Sequence, residues 1–266
     1  MGDDAARHDI NAGCDFAVWE GIYPSFAAAP AEGPGFQGAI AQERAVKAAH
    51  DVLTQIAAGG PLDYSLRQRN ALLPVIAAML LDGRASVRIL DFGGGAGTGY
   101  MLLTAAVPDA LARIEYDVLD LEPICEVGRA LFAGRPGPQF HAQWPAGGGY
   151  DHVHTASTIQ YVEDWRSVIG RLAGYGASQI AFSDAFVGPF PSYVTLQSYY
   201  GSRIRHWMFN QDEFIAEVER HGYVLSMRCP CDARILGAYG PLPMHNLPPE
   251  RRIAHSSHLL FRLRTR

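Results

Sequence analysis

Val87-Arg-Ile-Leu-Asp-Phe-Gly-Gly-Gly-Ala-Gly-Thr-Gly99 is the stretch on which the fold turns. A short apolar run ends in an acid, breaks into glycines and gives way to Tyr100-Met-Leu-Leu-Thr-Ala-Ala-Val107. This predicts a buried strand, a tight turn and a helix, the opening unit of a doubly wound α/β sheet. Glycines serve such a turn twice: the backbone angles forbid a Cβ, and a ligand lies directly against the main chain. Spacing says more than glycine content. Counted from Asp91 the pattern is Asp-x-Gly-x-Gly-x-Gly, with Gly93, Gly95 and Gly97 in register and Gly94 between them. A dinucleotide fingerprint G-x-G-x-x-G begun at Gly93 requires glycine where this chain has Thr98.

Downstream, residues 114–120 predict a second strand ending at Asp120, and 122–132 a helix with Pro123 at its start, where proline is tolerated. Further strands are expected at 139–142, 150–156 and 178–184, with a helix at 164–173. A helix at 211–221 leads to a strand at 223–229, and a last strand at 257–264 follows without a helix, so it joins as a hairpin partner. Between them, 186–209 is proline-punctuated and rich in aromatics, including Phe186, Phe190, Tyr193, Tyr199, Tyr200, Trp207 and Phe209. Upstream, Phe16 to Phe26 is an aromatic cluster too short for a domain, read as a plug on the main body or a substrate wall. A helix is expected over 39–58, stopped by Gly59-Gly60-Pro61, and another over 65–81 that Pro74 kinks or splits. The domain reading is therefore an N-terminal extension and helical cap over 1–85, then a main domain over 86–266 carrying the aromatic insertion 186–209.

At its central motif the chain resembles the class I S-adenosylmethionine-dependent methyltransferases, whose first motif ends a strand with an acid followed by G-x-G-x-G. Five βα units with a closing antiparallel hairpin match that family's Rossmann-like seven-stranded sheet rather than a simple dinucleotide fold. The resemblance covers about 87–265. Val118-Leu-Asp-Leu-Glu-Pro-Ile-Cys-Glu-Val-Gly-Arg129, Ile159-Gln-Tyr161 and Trp19-Glu-Gly-Ile-Tyr-Pro-Ser-Phe26 also resemble a bacterial family of methyltransferases of undefined substrate, found near surface-polysaccharide or secondary-metabolite genes.

The resemblance implies S-adenosyl-L-methionine as cofactor, held at Asp91, Gly93, Gly94, Gly95, Gly97, Asp120 and Leu121. Ligands in open α/β sheets bind beyond the carboxyl ends of the strands, and an acid at Asp120 can accept both ribose hydroxyls. The same acid also serves nicotinamide sites, and it could instead cap the helix that follows. Many methyltransferases place an acid after the third strand to meet the adenine amino group. This chain has Ala142-Gln-Trp-Pro145 there, leaving Gln143 for the polar contact and Trp144 for an apolar face. The loop from Ser157 to Trp165 would lie under the methionine arm.

Methyl transfer needs alignment and exclusion of water, and needs a base only for a hydroxyl or protonated amine. His206, within the aromatic insertion, is the candidate base, with a structural or surface histidine as its alternative. Tyr161 and Gln160 are candidates to orient an acceptor hydroxyl or else to pack. The insertion and N-terminal helices are expected to enclose the acceptor as a lid, or to seal a core or a homodimer interface. Nucleobase amino-methylation favours an Asn/Asp-Pro-Pro-Tyr turn where this chain has Ser157-Thr-Ile-Gln160, and metal-dependent catechol methylation needs carboxylates of which only Asp184 is placed, so no metal is expected. O-methylation of a small molecule leads. The rivals are a nicotinamide-dependent oxidoreductase and a methyltransferase-like binding or assembly domain without turnover.

Composition agrees with that class. The 266 residues carry net charge −5, and basic residues form no run, so a nucleic-acid partner is not expected. Lys47 is the only lysine. Four cysteines (Cys14, Cys125, Cys229 and Cys231) are too scattered for a disulfide framework, and Cys229-Pro-Cys231 is not a C-x-x-C pair. No basic and apolar leader is visible, and no apolar run approaches the ~20 residues that cross a bilayer, so a cytoplasmic protein is expected.

Overall fold

The computed structural model describes residues 16–59, 62–199, 201–232, 235 and 240–264. In it the glycine-rich stretch is strand β2 (Val87–Phe92) running into helix α4 (Thr98–Ala106), with β1 (Trp19–Tyr23) and helices α1 (Ala39–Ala57), α2 (Tyr64–Arg69) and α3 (Leu72–Leu81) before it. After it come α5 (Ala110–Arg113), β3 (Ile114–Leu119), α6 (Glu122–Leu131), β4 (Gln139–His141), β5 (His152–Ala156), α7 (Trp165–Gly174) and β6 (Gln179–Ala185). The chain continues through β7 (Val187–Gly188), β8 (Tyr193–Tyr199), β9 (Ser202–Asn210), α8 (Gln211–Arg220), β10 (Tyr223–Cys231) and β11 (Ser256–Leu263). The main sheet has seven strands in the order β10-β11-β6-β5-β2-β3-β4. β2 through β6 are parallel, while β11 is antiparallel to both β6 and β10. This is the doubly wound sheet with a closing hairpin that the sequence predicts.

β2 is an inner strand covered on both faces, which is why Ile89, Leu90 and Asp91 are buried in succession rather than alternating with exposed residues. From β2 the chain winds outward through β3 to β4, then returns to β5 and winds the other way to β6. The switch point therefore falls between the carboxyl ends of β2 and β5, where a ligand crevice opens. Asp117 ties the outer strands together: buried on β3, it accepts hydrogen bonds from Arg88 Nη2 (2.9 Å) on β2 and Tyr150 Oη (2.8 Å), and meets His141 Nε2 (2.7 Å) on β4.

Two helix layers cover the sheet. On one face Trp165 and Ile169 of α7 and Phe214 and Val218 of α8 pack on Leu90, Val153, Ile180 and Phe182. On the other, Leu73 and Ile76 of α3 and Tyr100 and Leu103 of α4 pack on Val87, Ile89 and Val118. Asp164 and Asn210 start α7 and α8 by accepting the backbone N–H of Ser167 (3.2 Å) and Glu213 (2.8 Å). Phe214 joins both strands and helices. Its ring stacks on Trp165 (centroids 5.5 Å apart) and meets Phe182 edge to face at 5.1 Å. Phe214→Ala is expected to cost about 3–5 kcal/mol, lost transfer energy plus a cavity that rigid aromatic neighbours cannot close. Urea midpoints at unchanged slope measure it; a loss below about 1 kcal/mol would show that this layer is not a single packed core.

The 65–81 segment is two helices. The break sits at Asn70, four residues before Pro74, because a proline ring clashes with the carbonyl of residue i−4. α1 buries Ala49 and Val52 against Ala96 and Met101, so the N-terminal cap packs on the glycine loop itself. No described helix is long and apolar enough to cross a membrane.

The structure differs most from the sequence reading at the two aromatic segments. Both are built of strands. β1 from the N-terminal segment and β7, β8 and β9 from the insertion form a second, four-stranded sheet in the order β1-β8-β9-β7. Glu20 pairs with Leu196, a partner far away in sequence. The aromatics expected to wall an acceptor pocket mostly seal cores: Phe186, Phe190 and Tyr193 pack with Trp19, Met208 and Met244, while Phe209 joins the main core. Tyr200 lies outside the described residues.

Candidate functional site

The loop after β2 has an enclosed side and an open one. Gly93 (φ +74°) is enclosed: a Cβ there would lie 2.1 Å from Thr158 Oγ1, so the loop after β5 presses directly on the glycine loop. Gly95 (φ +61°) is open: among the described residues a Cβ there would meet nothing within 4 Å. Its backbone N–H donates to Asp120 Oδ2 at 2.8 Å, and Leu121 N–H donates to Oδ1 at 2.7 Å. A carboxylate offers about four lone-pair sites, so Asp120 keeps two beyond these donors. Burial raises the Asp120 pKa, and the two backbone donors work against that rise. Although enclosed by protein, its side chain is only half-buried, as expected of a group lining a crevice. Gly95, Asp120 and the exposed Leu121 thus share one edge of the switch point.

Asp91, Gly94 and Gly97 are placed differently. Asp91 lies beneath the loop, 2 % exposed, accepting from Tyr116 Oη at 2.7 Å. A Cβ on Gly94 would come within 2.5 Å of its Oδ2. Burial pushes the Asp91 pKa up to about 7, against the lowering effect of Tyr116 and with a further rise from Asp120. It props the loop from the core side. Gly97 is the N-cap of α4 and backs onto Phe132 and Pro138. Past β4, Trp144 stacks on Phe92 (5.5 Å) and carries Arg171 over its ring (4.2 Å), while Gln143 is exposed.

On the other side of the switch point, the ends of β5 and β6 are drawn together. Ser157 and Asp184 both hold left-handed backbone (φ +54° each), which costs a non-glycine residue about 1–3 kcal/mol and clusters at functional sites. The Ser157 hydroxyl donates to Asp184 Oδ2, and the Ser256 hydroxyl from β11 donates to Oδ1. Gln160, 1 % exposed, donates from Nε2 to the Asp184 backbone carbonyl at 3.4 Å. Arg69, the last residue of α2, brings Nε to 3.6 Å from Asp184 Oδ2. Sequence reasoning reached Ser157 and Gln160 and weighed Asp184 only as a metal ligand; it missed Ser256 and Arg69. An acid closing a strand was a usable signal for Asp184. Nothing local marked Arg69. Burial, then the charge of Asp184, pushes the neighbouring Cys231 thiol up to about 12, so it stays protonated.

The structure brings Tyr161 and His206 together but separates their surroundings. Tyr161 Oη donates to Gln197 Oε1 at 2.7 Å, and its ring meets Phe36 at 4.8 Å. His206 is fully buried behind it, ringed by Tyr161 (5.2 Å), Phe186 (4.6 Å) and Trp19 (6.0 Å). Burial pushes its pKa down to about 3; its own and the Trp207 backbone groups raise it slightly, yet neither ring nitrogen makes a hydrogen bond of normal geometry. A groove of about 320 Å³ between Tyr64, Pro74 and Leu102 lies outside this edge and touches none of these residues.

No family model and no curated protein matches this chain. Solved structures do. It is similar to magnesium protoporphyrin IX methyltransferase from Synechocystis PCC 6803 with bound S-adenosylhomocysteine, at 17% identity and TM-score 0.50 over 85% of this chain and 99% of that one. Another match is 1,6-didemethyltoxoflavin-N1-methyltransferase from Burkholderia thailandensis, solved with 1,6-didemethyltoxoflavin and S-adenosylhomocysteine, at 15% identity and TM-score 0.53 over 89% and 93% of the two chains. A third is an S-adenosylmethionine-dependent methyltransferase from Methanosarcina mazei, at 9% identity and TM-score 0.50 over 69% and 95%. The fold of this chain is that of the class I S-adenosylmethionine-dependent methyltransferases.

Proposed function

We propose that this protein is an S-adenosylmethionine-dependent methyltransferase acting on a hydroxyl of a small molecule. One observation carries the reading: the open side of Gly95 adjoins a carboxylate, Asp120, with lone pairs to spare on the same crevice edge. That edge fits a nucleoside whose ribose diol meets Asp120, with Leu121 as an apolar surface beside it. Gln143 is exposed on the same side of the sheet and is the candidate for a polar contact to the base.

S-adenosylmethionine, held by Gly95, Asp120 and Leu121, would supply an electrophilic methyl group on a sulfonium. The chain's own task is alignment, for which preorganisation contributes up to roughly 7–11 kcal/mol. Ser157 and Asp184, at the carboxyl ends of β5 and β6, are on the far side of the glycine loop from Asp120, where the reacting end belongs. Gln160 holds the Asp184 turn, and Tyr161 faces the same region from the loop after β5. His206 acts through Tyr161 as a positioning residue: a fully buried imidazole with a pKa near 3 is a poor proton acceptor at neutral pH.

S-adenosylhomocysteine is expected to raise the melting temperature and NAD to leave it unchanged; the reverse result would overturn the reading. Asp120→Ala should weaken S-adenosylhomocysteine binding ten- to hundredfold by calorimetry, since hydrogen bonds to a charged acceptor contribute about 1.5–3 kcal/mol. An unchanged affinity would place the ribose contact elsewhere.

A further inference from the structure

Arg69 closes α2 beside the ends of β5 and β6, at the end of the sheet where the methyl acceptor belongs. Among the described residues it donates no hydrogen bond, and its Nε is buried and unsatisfied. Its nearest anion, Asp184, stays at 3.6 Å from Nε, beyond hydrogen-bond reach, held there by one hydroxyl on each oxygen, from Ser157 and Ser256. Arginine carries five donors in a planar fork, and buried polar groups are nearly always paired. Protein surrounds Arg69 closely, yet 37 % of its side chain remains accessible. That combination belongs to a group facing a cleft within the body rather than the outer surface. Burial disfavours its charge, while Asp184 and the phenols of Tyr199 and Tyr161 favour it.

Resting on the methyltransferase reading above, we propose that Arg69 is the anion-recognition group of the acceptor subsite, and that the acceptor is a carboxylic acid bound through the Nη groups. Three observations shape the ligand. The guanidinium fork matches a planar carboxylate with two parallel hydrogen bonds. Among the described residues the groups that act on Arg69 are Asp184, Tyr199, Tyr161 and Cys231, none of them a cation, and Asp184 stands next to it, so a dianion such as a phosphomonoester is disfavoured. The phenols of Tyr161 and Tyr199 lie near enough to act electrostatically on the guanidinium, which places aromatic side chains in the surroundings of the subsite. Asp184 is then the positioning residue: anchored by two serines on left-handed backbone, it keeps Arg69 charged without occupying its fork.

The test uses the full chain saturated with S-adenosylhomocysteine and a panel of small hydroxy-carboxylic acids, 4-hydroxybenzoate among them, each paired with its neutral primary amide. Affinities are read by ligand-observed NMR. At least one acid is expected to bind tenfold or more tightly than its amide. Arg69→Gln should abolish that preference and Arg69→Lys should restore part of it, because a point charge lacks the fork. In both variants affinity for S-adenosylhomocysteine should stay within about twofold of the parent, which shows that they fold. Phosphomonoester analogues should bind no better than the amides. The proposal is overturned if no acid exceeds its amide, if the phosphomonoesters exceed the acids, or if Arg69→Gln keeps the preference. Failure of S-adenosylhomocysteine to bind the parent chain would instead sink the methyltransferase reading on which it rests.

Discussion

Gly95→Leu is expected to abolish stabilisation by S-adenosylhomocysteine while leaving the fold in place. The two consequences of adding a side chain separate cleanly at this position. A Cβ at Gly95 meets no atom of the described residues within 4 Å, so none of them has to move. The side chain would instead fill the crevice beside Asp120, whose carboxylate is fixed by the Gly95 N–H itself. Left-handed backbone (φ +61°) still costs a residue with a Cβ about 1–2 kcal/mol. Gly134 supplies the control, because it shares that backbone region (φ +74°) and also has open space around it, but lies in the turn after α6. Gly134→Leu should lose a similar amount of stability and keep its ligand response. If Gly95→Leu binds S-adenosylhomocysteine within tenfold of the parent, the crevice is not where the nucleoside lies.

The second large effect is acid lability. His152, His154 and His206 are fully buried, and burial pushes their pKa values down, to about 4 for His152, well below the usual value for His154 and to about 3 for His206. The unfolded chain protonates all of them near pH 6.5 while the folded chain does not, so stability falls as pH drops through that value. Asp91 opposes them. With its folded pKa up at about 7, the native state takes the proton first, and stability from this group rises as pH falls from about 7 toward the unfolded value near 3.9. Each group contributes about 1.4 kcal/mol per pH unit, so three histidines outweigh one carboxyl. A net loss on the order of 3 kcal/mol is expected between pH 7 and pH 5, read as a falling urea midpoint. His206→Phe should flatten that slope and Asp91→Asn should steepen it. A midpoint that is flat or rises toward pH 5 would mean that these imidazoles are solvated.

Asp91 also shows how sequence and structure share the site. Its place before the glycines marks the motif, yet only the packed structure shows it facing Tyr116 beneath the loop instead of the ligand side. His206 makes the converse case. An aromatic setting near the carboxyl edge made it a candidate base, but strand alternation alone does not say which face of β9 is covered. Trp19, from the other end of the chain, covers it. Tyr193-Val-Thr-Leu-Gln-Ser-Tyr199 does carry a strand-like pattern, but its partners β1 and β9 had to be known before it read as a sheet.

By itself the sequence determined the order of the main-sheet strands from Val87 onward, the helices α4, α6, α7 and α8 between them, the glycine turn and the acid that closes the next strand. Those features rest on short-range physics: apolar periodicity, proline and glycine at turns, and a carboxylate at the end of a strand. The tertiary structure alone decided the second sheet, the packing of α1 on the glycine loop, and the meeting of Arg69, Ser157, Asp184 and Ser256. Each depends on contacts between segments far apart in the chain, whose energies come from mutual burial and shared hydrogen bonds and leave no pattern in any one segment.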